Sequence, residues 1–379
     1  MKWLLPILLS VPALLNAADS PIAALEREGT QLRLEGEFDN AATIEQQLIN
    51  TFDEPAGHVF ALNTIITQLT WDETQQDYND ALQHHAAETL SWCEPRSADG
   101  PDAVAANYYC GQAHFALSYF HGLQGNYFKA GRHGTDCIDY LESALARDPD
   151  LTDAKMHLGI AYFVADNLPP FIRMFSRFLW FIPTGNSEKS LPYLMDVIED
   201  GDQYRDVARY IYSVILIENP DTWEAAEEQL RILSTRYPTN QRFQLRLISV
   251  LMMQEDYPGT LAAADTYLQQ TVDPDRIDLS LAKIWMVRAH LGLGQTEDAA
   301  RVFAEIDPVF EQEQEELPGW SIAWHMLTDG QLLDLENRRD EARSVYSDIL
   351  RLAKSTYVND TILDAARSGL VTPYQMTAP

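Results

Sequence analysis

The histidines of this sequence are the side chains best suited to metal chemistry. They are concentrated between residues 84 and 133, close in sequence to two cysteines, at His84, His85, His114, His121 and His133. Imidazole and thiolate are common zinc ligands, but zinc sites have recognisable spacings, such as the H-E-x-x-H helix, and none of these spacings occurs here. We therefore expect satisfied or solvated histidines, no metal site and no resident cofactor.

The cysteines could form a disulfide. The chain contains Cys93, Cys110 and Cys137, so export to an oxidising compartment would permit one bond and leave one thiol over. Cys110 precedes Gly111 in a predicted first helix, and Cys137 lies at the crossing position of the next helix, so the favoured pairing is Cys110–Cys137. Cys93–Cys110, across a proline-containing loop, is the alternative, and buried free thiols are the third possibility.

Catalytic signatures are absent from the sequence. It contains no G-x-S-x-G, no phosphate-cradling G-x-x-x-x-G-K-[ST] and no G-x-G-x-x-G after a strand. Carboxylates are abundant, but an acid–base pair needs one of them desolvated in a cleft, which composition does not reveal. We therefore expect a protein that is not an enzyme.

The charge balance excludes one class of partner. The 379 residues carry a formal net charge of −30. A field of that sign repels nucleic acid and anionic lipid head groups, and it favours solubility. A nucleic-acid partner is therefore not expected, and most of the acidic residues are expected to coat solvated helix faces.

Residues 1–18 have the pattern of a secretory signal peptide. Lys2 is a minimal basic region, residues 3–15 are apolar, and Ala17 and Ala18 offer cleavage sites. No cysteine lies at that junction, so a lipid anchor is not expected. Neither the apolar segment nor any later one is long enough to span a bilayer. We expect a periplasmic or secreted protein without a transmembrane segment after cleavage.

These side chains must be positioned by helices, because one helical pattern recurs along the chain. From Ala24 onward an apolar-periodic helix, a short turn, a second helix with small residues and a proline repeat about every 34 residues. One such pair cannot bury its apolar stripe alone, so the pairs should stack into an α-solenoid. The sequence predicts an all-α fold of about eight pairs over residues 19–370, a capping helix at Thr361–Leu370 and a tail at 371–379.

Three segments interrupt the regular period. The third copy holds extra residues near 121–134, and the fourth holds a long aromatic insertion at 167–186. In the sixth copy, Tyr257-Pro258-Gly259 is expected to form an irregular turn where a second helix would normally begin.

Residues 24–352 resemble the tetratricopeptide-repeat (TPR) superfamily, and residues 108–245 are similar to a bacterial exported family of such proteins. The motifs that carry the narrower resemblance are Gly111-Gln112-Ala113 to Tyr119, Asn126-Tyr127-Phe128, Leu158-Gly159, Leu168-Pro169-Pro170, Gly185-Asn186 and Arg236-Tyr237-Pro238-Thr239-Asn240. A more distant similarity is to a eukaryotic family linked to the mitochondrial outer membrane and inclusion-body clearance. The resemblance implies a right-handed superhelix that acts as a binding scaffold and brings no reaction.

The first helices of such repeats usually line the concave face, which supplies candidate binding residues. By register, the residues that would face inward are Tyr108, Gln112, Phe115, Tyr119, Met156, Ile160 and Phe163. The alternative is that several of them are ordinary inter-helix core, because aromatic residues at helical spacing are commonly core.

The aromatic insertion supplies a second candidate surface. Its central helix carries two arginines among large apolar side chains, at Phe171, Arg173, Phe175, Arg177, Phe178, Trp180 and Phe181. This helix could fold back and plug or line the groove, form an exposed patch for a protein partner, or touch a membrane surface. The first reading is favoured, because so many exposed aromatic side chains would invite aggregation.

Two functions remain open at this level. The first is a protein–protein scaffold whose concave groove binds a protein or peptide partner. The second is a periplasmic module for a small molecule or lipid, in which the 168–186 helix closes a pocket, in the service of a transporter for example. A groove open along its length would favour the scaffold, whereas a closed, mostly apolar cavity of about 300–1,000 Å³ would favour the ligand-binding module.

Overall fold

The computed structural model describes residues 20–70, 77–166, 186–270, 276–312, 317, 319–354 and 358–375. Every regular element within these residues is a helix, so the predicted all-α class is confirmed. The α-helices in chain order are α1 Pro21–Glu35, α2 Phe38–Thr51, α3 Ala56–Leu69, α4 Asn79–Cys93, α5 Ala103–Leu123, α6 Tyr127–Arg147, α7 Ala154–Asp166, α8 Ser187–Asp200, α9 Arg205–Ile217, α10 Trp223–Arg236, α11 Gln241–Met253, α12 Tyr257–Gln270, α13 Arg276–Gly292, α14 Thr296–Gln312, α15 Gly319–Leu335, α16 Arg339–Leu352 and α17 Asp360–Val371.

Each helix packs against the one that follows it, from α1 on α2 to α16 on α17. The odd-numbered helices also contact one another in several places, as α3 does with α5 and α5 with α7. The buried apolar residues form a series of clusters along the chain instead of one central core. This sequential packing is consistent with the predicted α-solenoid, in which each unit buries its apolar face against its neighbours. The handedness and the number of TPR units stay predictions.

Glycines at the helix crossings allow the close approach that the repeat pattern predicts. A Cβ atom added to Gly111 of α5 would lie 2.5 Å from Leu141 Cγ of α6, and one added to Gly159 of α7 would lie 3.1 Å from Leu194 Cγ of α8. Leu141 and Leu194 are both fully buried. Because neither leucine has free space to move into, a larger residue at these glycines must push the helices apart.

The substitution Gly111→Ala tests this crossing. Overpacking a well-packed core costs about 1–3 kcal/mol, which outweighs the roughly 1 kcal/mol that alanine gains over glycine in a helix. The matched control is Gly122→Ala in the same helix, where an added Cβ would meet nothing within 4 Å. Urea denaturation should show a lower free energy of unfolding for the first variant and an unchanged or higher one for the second. Equal effects would contradict the crossing geometry.

Two of the three irregular segments are part of ordinary helices. Residues 121–134 extend α5 and α6, which have 21 residues each, and Gly125 with φ +69° makes the turn between them. The irregular turn expected at Tyr257-Pro258-Gly259 is wrong, because α12 begins at Tyr257. Pro258 is tolerated in the first helical turn, where its missing N–H has no helical partner to lose.

Two of the predicted segments lie outside the described residues. The signal-peptide pattern at 1–18 is one of them. The other is the insertion helix, with Phe171, Arg173, Phe175, Arg177, Phe178, Trp180 and Phe181. The predicted capping helix at Thr361–Leu370 corresponds to α17. None of the described helices combines the length and the apolar character that a membrane span requires.

The favoured disulfide pairing is wrong. Cys93 at the end of α4 is bonded to Cys110 of α5, with a Cα–Cα distance of 5.7 Å, and Cys137 is a buried free thiol. Gly111 is the α5 residue that faces Cys137, since its added Cβ would lie 3.4 Å from the Cys137 carbonyl oxygen. Cys110 is one residue earlier, roughly 100° around the helix, and therefore points towards α4 instead of α6.

The N-terminal helices return onto the middle of the chain. Asn240 Nδ2, just before α11, donates a hydrogen bond to the carbonyl oxygen of Leu34 in α1 at 2.8 Å, across 206 residues of sequence. Arg242 Nη1 of α11 donates to the carbonyl oxygen of Thr67 in α3 at 2.7 Å. These are the closure contacts, and they bring the two ends of the segment α1–α11 together.

An apolar seam accompanies the closure contacts. Leu34 of α1 packs against a cluster that contains Tyr210 of α9 and the buried Tyr237 and Phe243. Burial of apolar area stabilises the contact by about 25 cal/mol per Å², whereas the exposed ion pair Arg27–Asp202 across the same boundary contributes little. The seam therefore holds the segment closed, and the space that it encloses is the candidate site.

Candidate ligand cavity

Helices α1, α2, α3, α5, α6, α7, α9 and α11 contribute to the wall of a cavity of about 480 Å³. Ligand pockets are typically about 300–1,000 Å³, so the volume suits a small organic molecule. The closure contacts join the first and the last of these helices, and the residues that make them, Leu34, Thr67, Asn240 and Arg242, also line the cavity. No single helix pair forms it.

Most side chains that line the cavity are apolar. Four of the candidate groove residues are among them, namely Phe115, Tyr119, Met156 and Ile160. Further apolar walls come from α7 and α9, with Ala161, Val164, Val207 and Ile211. These four residues, which the helical register predicted to face inward, therefore line one space. Their role in binding stays a prediction.

The other three candidate groove residues have different positions. Gln112 is buried beside the cavity, where its Oε1 accepts hydrogen bonds from Asn63 Nδ2 at 3.0 Å and Tyr204 Oη at 3.1 Å. Tyr108 packs between neighbouring apolar clusters. Phe163 is partly buried in α7 and does not line the cavity. Core packing thus accounts for Tyr108, and polar support of the cavity wall accounts for Gln112.

Arg33 of α1 is a buried cation in the cavity wall. Its side chain lies over the Phe60 ring, with Cζ 4.4 Å from the centroid, and Nη2 donates to Thr30 Oγ1 at 3.1 Å. Nη1 makes a longer contact of 3.4 Å with Thr64 Oγ1, and within the described part of the chain Nε has no hydrogen-bond partner. Burial lowers the pKa of Arg33 below its ordinary value, which shows that the charge is held at a cost.

Glu26 is the carboxyl group whose charge acts most strongly on Arg33, and it does not neutralise the guanidinium group at pH 7. Burial, together with the charges of Asp153 and Glu54, raises the pKa of Glu26 to about 8. Glu26 is therefore mostly protonated at neutral pH. Among the described residues no carboxylate lies within ion-pair distance of Arg33, so its positive charge is available to an anion in the cavity.

A hydrogen-bond network fixes the polar wall next to Arg33. Asn63 Nδ2 donates to Tyr204 Oη at 3.0 Å, and Asn63 Oδ1 lies 3.2 Å from His157 Nε2. Burial and the charge of Arg33 lower the pKa of His157 to about 3, so the ring is neutral. The contact with Asn63 assigns the proton to Nε2, which leaves the buried Nδ1 as an acceptor with no partner in the ranges that the structure describes.

The charge of the cavity is opposite to that of the whole chain. Two arginines, Arg33 and Arg242, line it, whereas none of its described lining residues is Asp or Glu. Arg242 lies 5.4 Å from the centroid of Phe38 and also donates to Thr67. In a chain of net charge −30, the positive charge of the buried Arg33 favours an anionic group inside the cavity.

Cys137 also lines the cavity, but its thiol is not activated. Burial raises the pKa of Cys137 well above its ordinary value, with a smaller contribution from Asp136. The thiol form persists at neutral pH, and the thiolate is the nucleophilic form. Cys137 is therefore an apolar wall residue at neutral pH.

The sequence pattern did not reveal the polar wall. Arg33, Asn63, His157, Tyr204 and Arg242 come from five different segments, and each has an ordinary amphipathic neighbourhood. An arginine between two leucines, as at Arg33, is common on solvated helices. Only the contacts across the closed segment show that these side chains share one space.

No protein-family model matches the chain, and no curated protein matches it.

Proposed function

We propose that this protein is a non-catalytic, exported binding protein that holds one amphipathic anion, such as a long-chain carboxylate, in the cavity. The observation that carries the proposal is the composition of the cavity wall, which is mostly apolar but has a polar side with the buried cation Arg33 and, among the described lining residues, no carboxylate. The signal-peptide pattern at 1–18 supports the export in this proposal, and the stacked pairs of helices would serve as the frame. The scaffold thus binds and releases its ligand without a reaction.

The apolar wall supports an apolar ligand body. Phe115, Met156, Ile160, Val207 and Ile211 come from three helices and face one space. Each buried CH₂ group of a ligand gains about 0.8 kcal/mol. A chain of several such groups would therefore offset the freedom that the ligand loses on binding.

The polar wall supports an anionic head group. A hydrogen bond to a charged group is worth about 1.5–3 kcal/mol, and Arg33 Nε has no partner among the described residues. A carboxylate at this position would gain that bond and offset part of the desolvation of the buried cation. His157 Nδ1, the acceptor on the same side, would suit a hydroxyl or a protonated acid.

A titration with three ligands of equal chain length tests the proposal. Tag-free protein, freed of bound lipid, is titrated with dodecanoic acid, dodecanol and dodecylamine by calorimetry, and native mass spectrometry gives the stoichiometry. We expect one acid molecule per chain and a dissociation constant for the alcohol about 10–100-fold higher, because the alcohol lacks the charge-assisted bond. The amine should bind more weakly than the alcohol.

A matched pair of variants identifies the head-group site. Arg33→Met keeps the packing on Phe60 and removes the charge, so the acid should bind no better than the alcohol. Arg351→Met, at a side chain that is 71% exposed, should leave all three dissociation constants unchanged. If none of the three ligands binds, the function is wrong. If acid and alcohol bind equally and Arg33→Met changes neither, the apolar site stands and the anionic head group is wrong.

A protein scaffold is the second candidate function. The helices α12–α17 contribute no described residue to the cavity wall. Their surfaces could therefore bind a protein partner without affecting the cavity. The test uses a full-length variant that cannot bind dodecanoic acid. A polypeptide that co-purifies with both the wild type and this variant would favour the scaffold function. A bound lipid in the absence of any polypeptide would favour the first.

A further inference from the structure

Three histidines of α3 and α4 converge. His58 lies in the first turn of α3, and His84 and His85 are neighbours in α4. One ligand atom from each ring lies within 4.8 Å of the other two. The Nδ1 atoms of His58 and His85 are 3.0 Å apart, and each of these two side chains is only partly buried. The three rings therefore direct nitrogen atoms to one point that solvent can reach.

The arrangement of the rings suits a tetrahedral cation. Zinc–nitrogen bonds of about 2.0–2.1 Å place two ligand nitrogens roughly 3.4 Å apart. The ring centroids are 6.0 Å apart for His58 and His84, 5.2 Å for His58 and His85, and 5.3 Å for His84 and His85. The rings are mutually inclined by 48° to 84° instead of stacked, so their edges, which carry the nitrogens, can face a common centre. Small rotations about the side-chain bonds would complete the geometry.

The contact between two ring nitrogens also suits metal binding. The Nδ1 atoms of His58 and His85 lie 3.0 Å apart. At this distance two rings can share only one proton, whereas a cation between them would bond to both.

A carboxylate strengthens the case for this cluster. Glu88 lies one turn after His84 and His85, and its negative charge acts on both His58 and His85. A negative charge at this place would stabilise a cation bound between the rings. Carboxylates commonly orient metal-binding histidines from the outer shell.

A second cluster is less favourable. His114, His133 and Asp136 also bring their ligand atoms within 4.8 Å of one another, between α5 and α6. There the positive charge of Arg132 acts on both imidazoles and opposes a bound cation. Among the described residues, no lysine or arginine charge acts on His58 or His85.

We propose that His58, His84 and His85 form a binding site for a first-row divalent cation of the zinc class. Three imidazoles suit Zn²⁺, Ni²⁺ or Cu²⁺ and disfavour Mg²⁺ and Ca²⁺, which prefer oxygen ligands. A fourth position would be left for water or for an exogenous ligand, as in open zinc sites. The site clamps α3 to α4 and is independent of the ligand proposed for the cavity.

Titration of the tag-free full chain with Zn²⁺ tests this site, with competing Mg²⁺ in excess. We expect one high-affinity equivalent and a rise in Tm on binding, because the metal binds the folded state preferentially. Loss of an outer-shell partner lowers metal affinity about 10–100-fold, so His85→Ala, which removes a ligand, should lower it by about 100-fold or more. His84→Ala, at the exposed ring, should do the same with little effect on the Tm of the metal-free protein.

Two control variants make the assignment specific. His133→Ala removes a ligand atom of the second cluster, and His290→Ala removes an exposed histidine of α13 that contacts Gln295. Both should keep the high-affinity equivalent. The proposal is overturned if the wild type binds no high-affinity equivalent of Zn²⁺, or if His84→Ala and His85→Ala both retain it. It is also overturned if His133→Ala abolishes this binding, or if every histidine variant weakens it equally. Retention in both controls with loss in both cluster variants supports it.

Discussion

Replacing Ile160 with tryptophan is expected to lower the affinity for dodecanoic acid by about 100-fold or more, the equivalent of roughly 2.7 kcal/mol. Ile160 lies in the middle of α7, is partly exposed to the cavity and lines its apolar wall. The larger side chain would extend into the space that the ligand body needs. Calorimetric titration measures the loss, and thermal unfolding shows whether the fold is kept.

The control for this variant lies on the same helix. Phe163 is also a partly buried α7 residue, but it does not line the cavity. Phe163→Trp should therefore leave the dissociation constant unchanged. If a folded Ile160→Trp protein binds dodecanoic acid as the wild type does, the ligand is bound elsewhere. If both variants lose binding equally, the effect comes from α7 as a whole and not from filling the cavity.

Replacing Asp206 with alanine is expected to lower the free energy of unfolding by about 3 kcal/mol. Removal of one partner of a buried ion pair typically costs about 3–5 kcal/mol. The low end of this range applies because the partner Arg236 is 46% exposed. The buried carboxylate of Asp206 accepts hydrogen bonds from Arg236 Nη1 at 2.5 Å, Tyr237 Oη at 2.7 Å and Arg209 Nε at 3.3 Å. Tyr237 belongs to the seam that joins α1 to α9–α11. The variant should thus also weaken binding in the cavity.

The pH dependence identifies the carboxylate as the cause. Burial alone raises the pKa of Asp206, but the hydrogen bonds from Tyr237 and Arg236 outweigh it, so the net pKa lies below the ordinary value of 3.8. A group with a depressed folded-state pKa stabilises the fold fully above its unfolded pKa and loses this contribution as the pH falls through the folded pKa. Urea denaturation should therefore show the full difference between wild type and variant at pH 7. Below about pH 4 the difference should shrink.

A surface carboxylate provides the comparison. Asp298 pairs with Arg301 on α14, where both side chains are well exposed. Exposed pairs on a helix are weak because water and salt screen them, so Asp298→Ala should have no measurable effect on unfolding. An Asp206→Ala protein as stable as the Asp298→Ala protein would show that the network at Asp206 does not hold the seam.

These two substitutions act on different levels of the same site. Ile160→Trp fills the cavity and leaves the closure contacts untouched, whereas Asp206→Ala loosens the closure and leaves the cavity wall intact. Loss of binding in both, with loss of stability mainly in the second, is the pattern expected if closure creates the cavity. Loss of stability without loss of binding in Asp206→Ala would mean that the cavity persists when the seam is weakened.

The local pattern of the sequence determined the class of fold. Apolar residues at helical spacing predicted helices throughout, and the described residues contain helices as their only regular elements. Small residues predicted at the crossings, such as Gly111 and Gly159, lie against buried leucines of the next helix. Such features depend on neighbours within one or two helices, so a single sequence reveals them.

The register argument reached part of the site. It placed Phe115, Tyr119, Met156 and Ile160 on inward faces, and these residues surround the cavity. It could not separate them from Tyr108, which packs between apolar clusters, because both kinds of residue are apolar and have the same helical spacing. The choice between Cys93 and Cys137 as the partner of Cys110 failed for a related reason, since one residue of register turns the side chain by about 100°.

Only the tertiary structure decided the cavity and the histidine cluster. The closure contact between Leu34 and Asn240 spans 206 residues, and it depends on the sum of small rotations between successive helix pairs. No local pattern encodes that sum, so the sequence could not show that Arg33 and His157 share one wall. In the same way, His58 and His85 meet only because α3 and α4 pack with a particular register. The sequence by itself therefore determined the helices and their order, and the accumulated geometry of their packing decided which side chains meet.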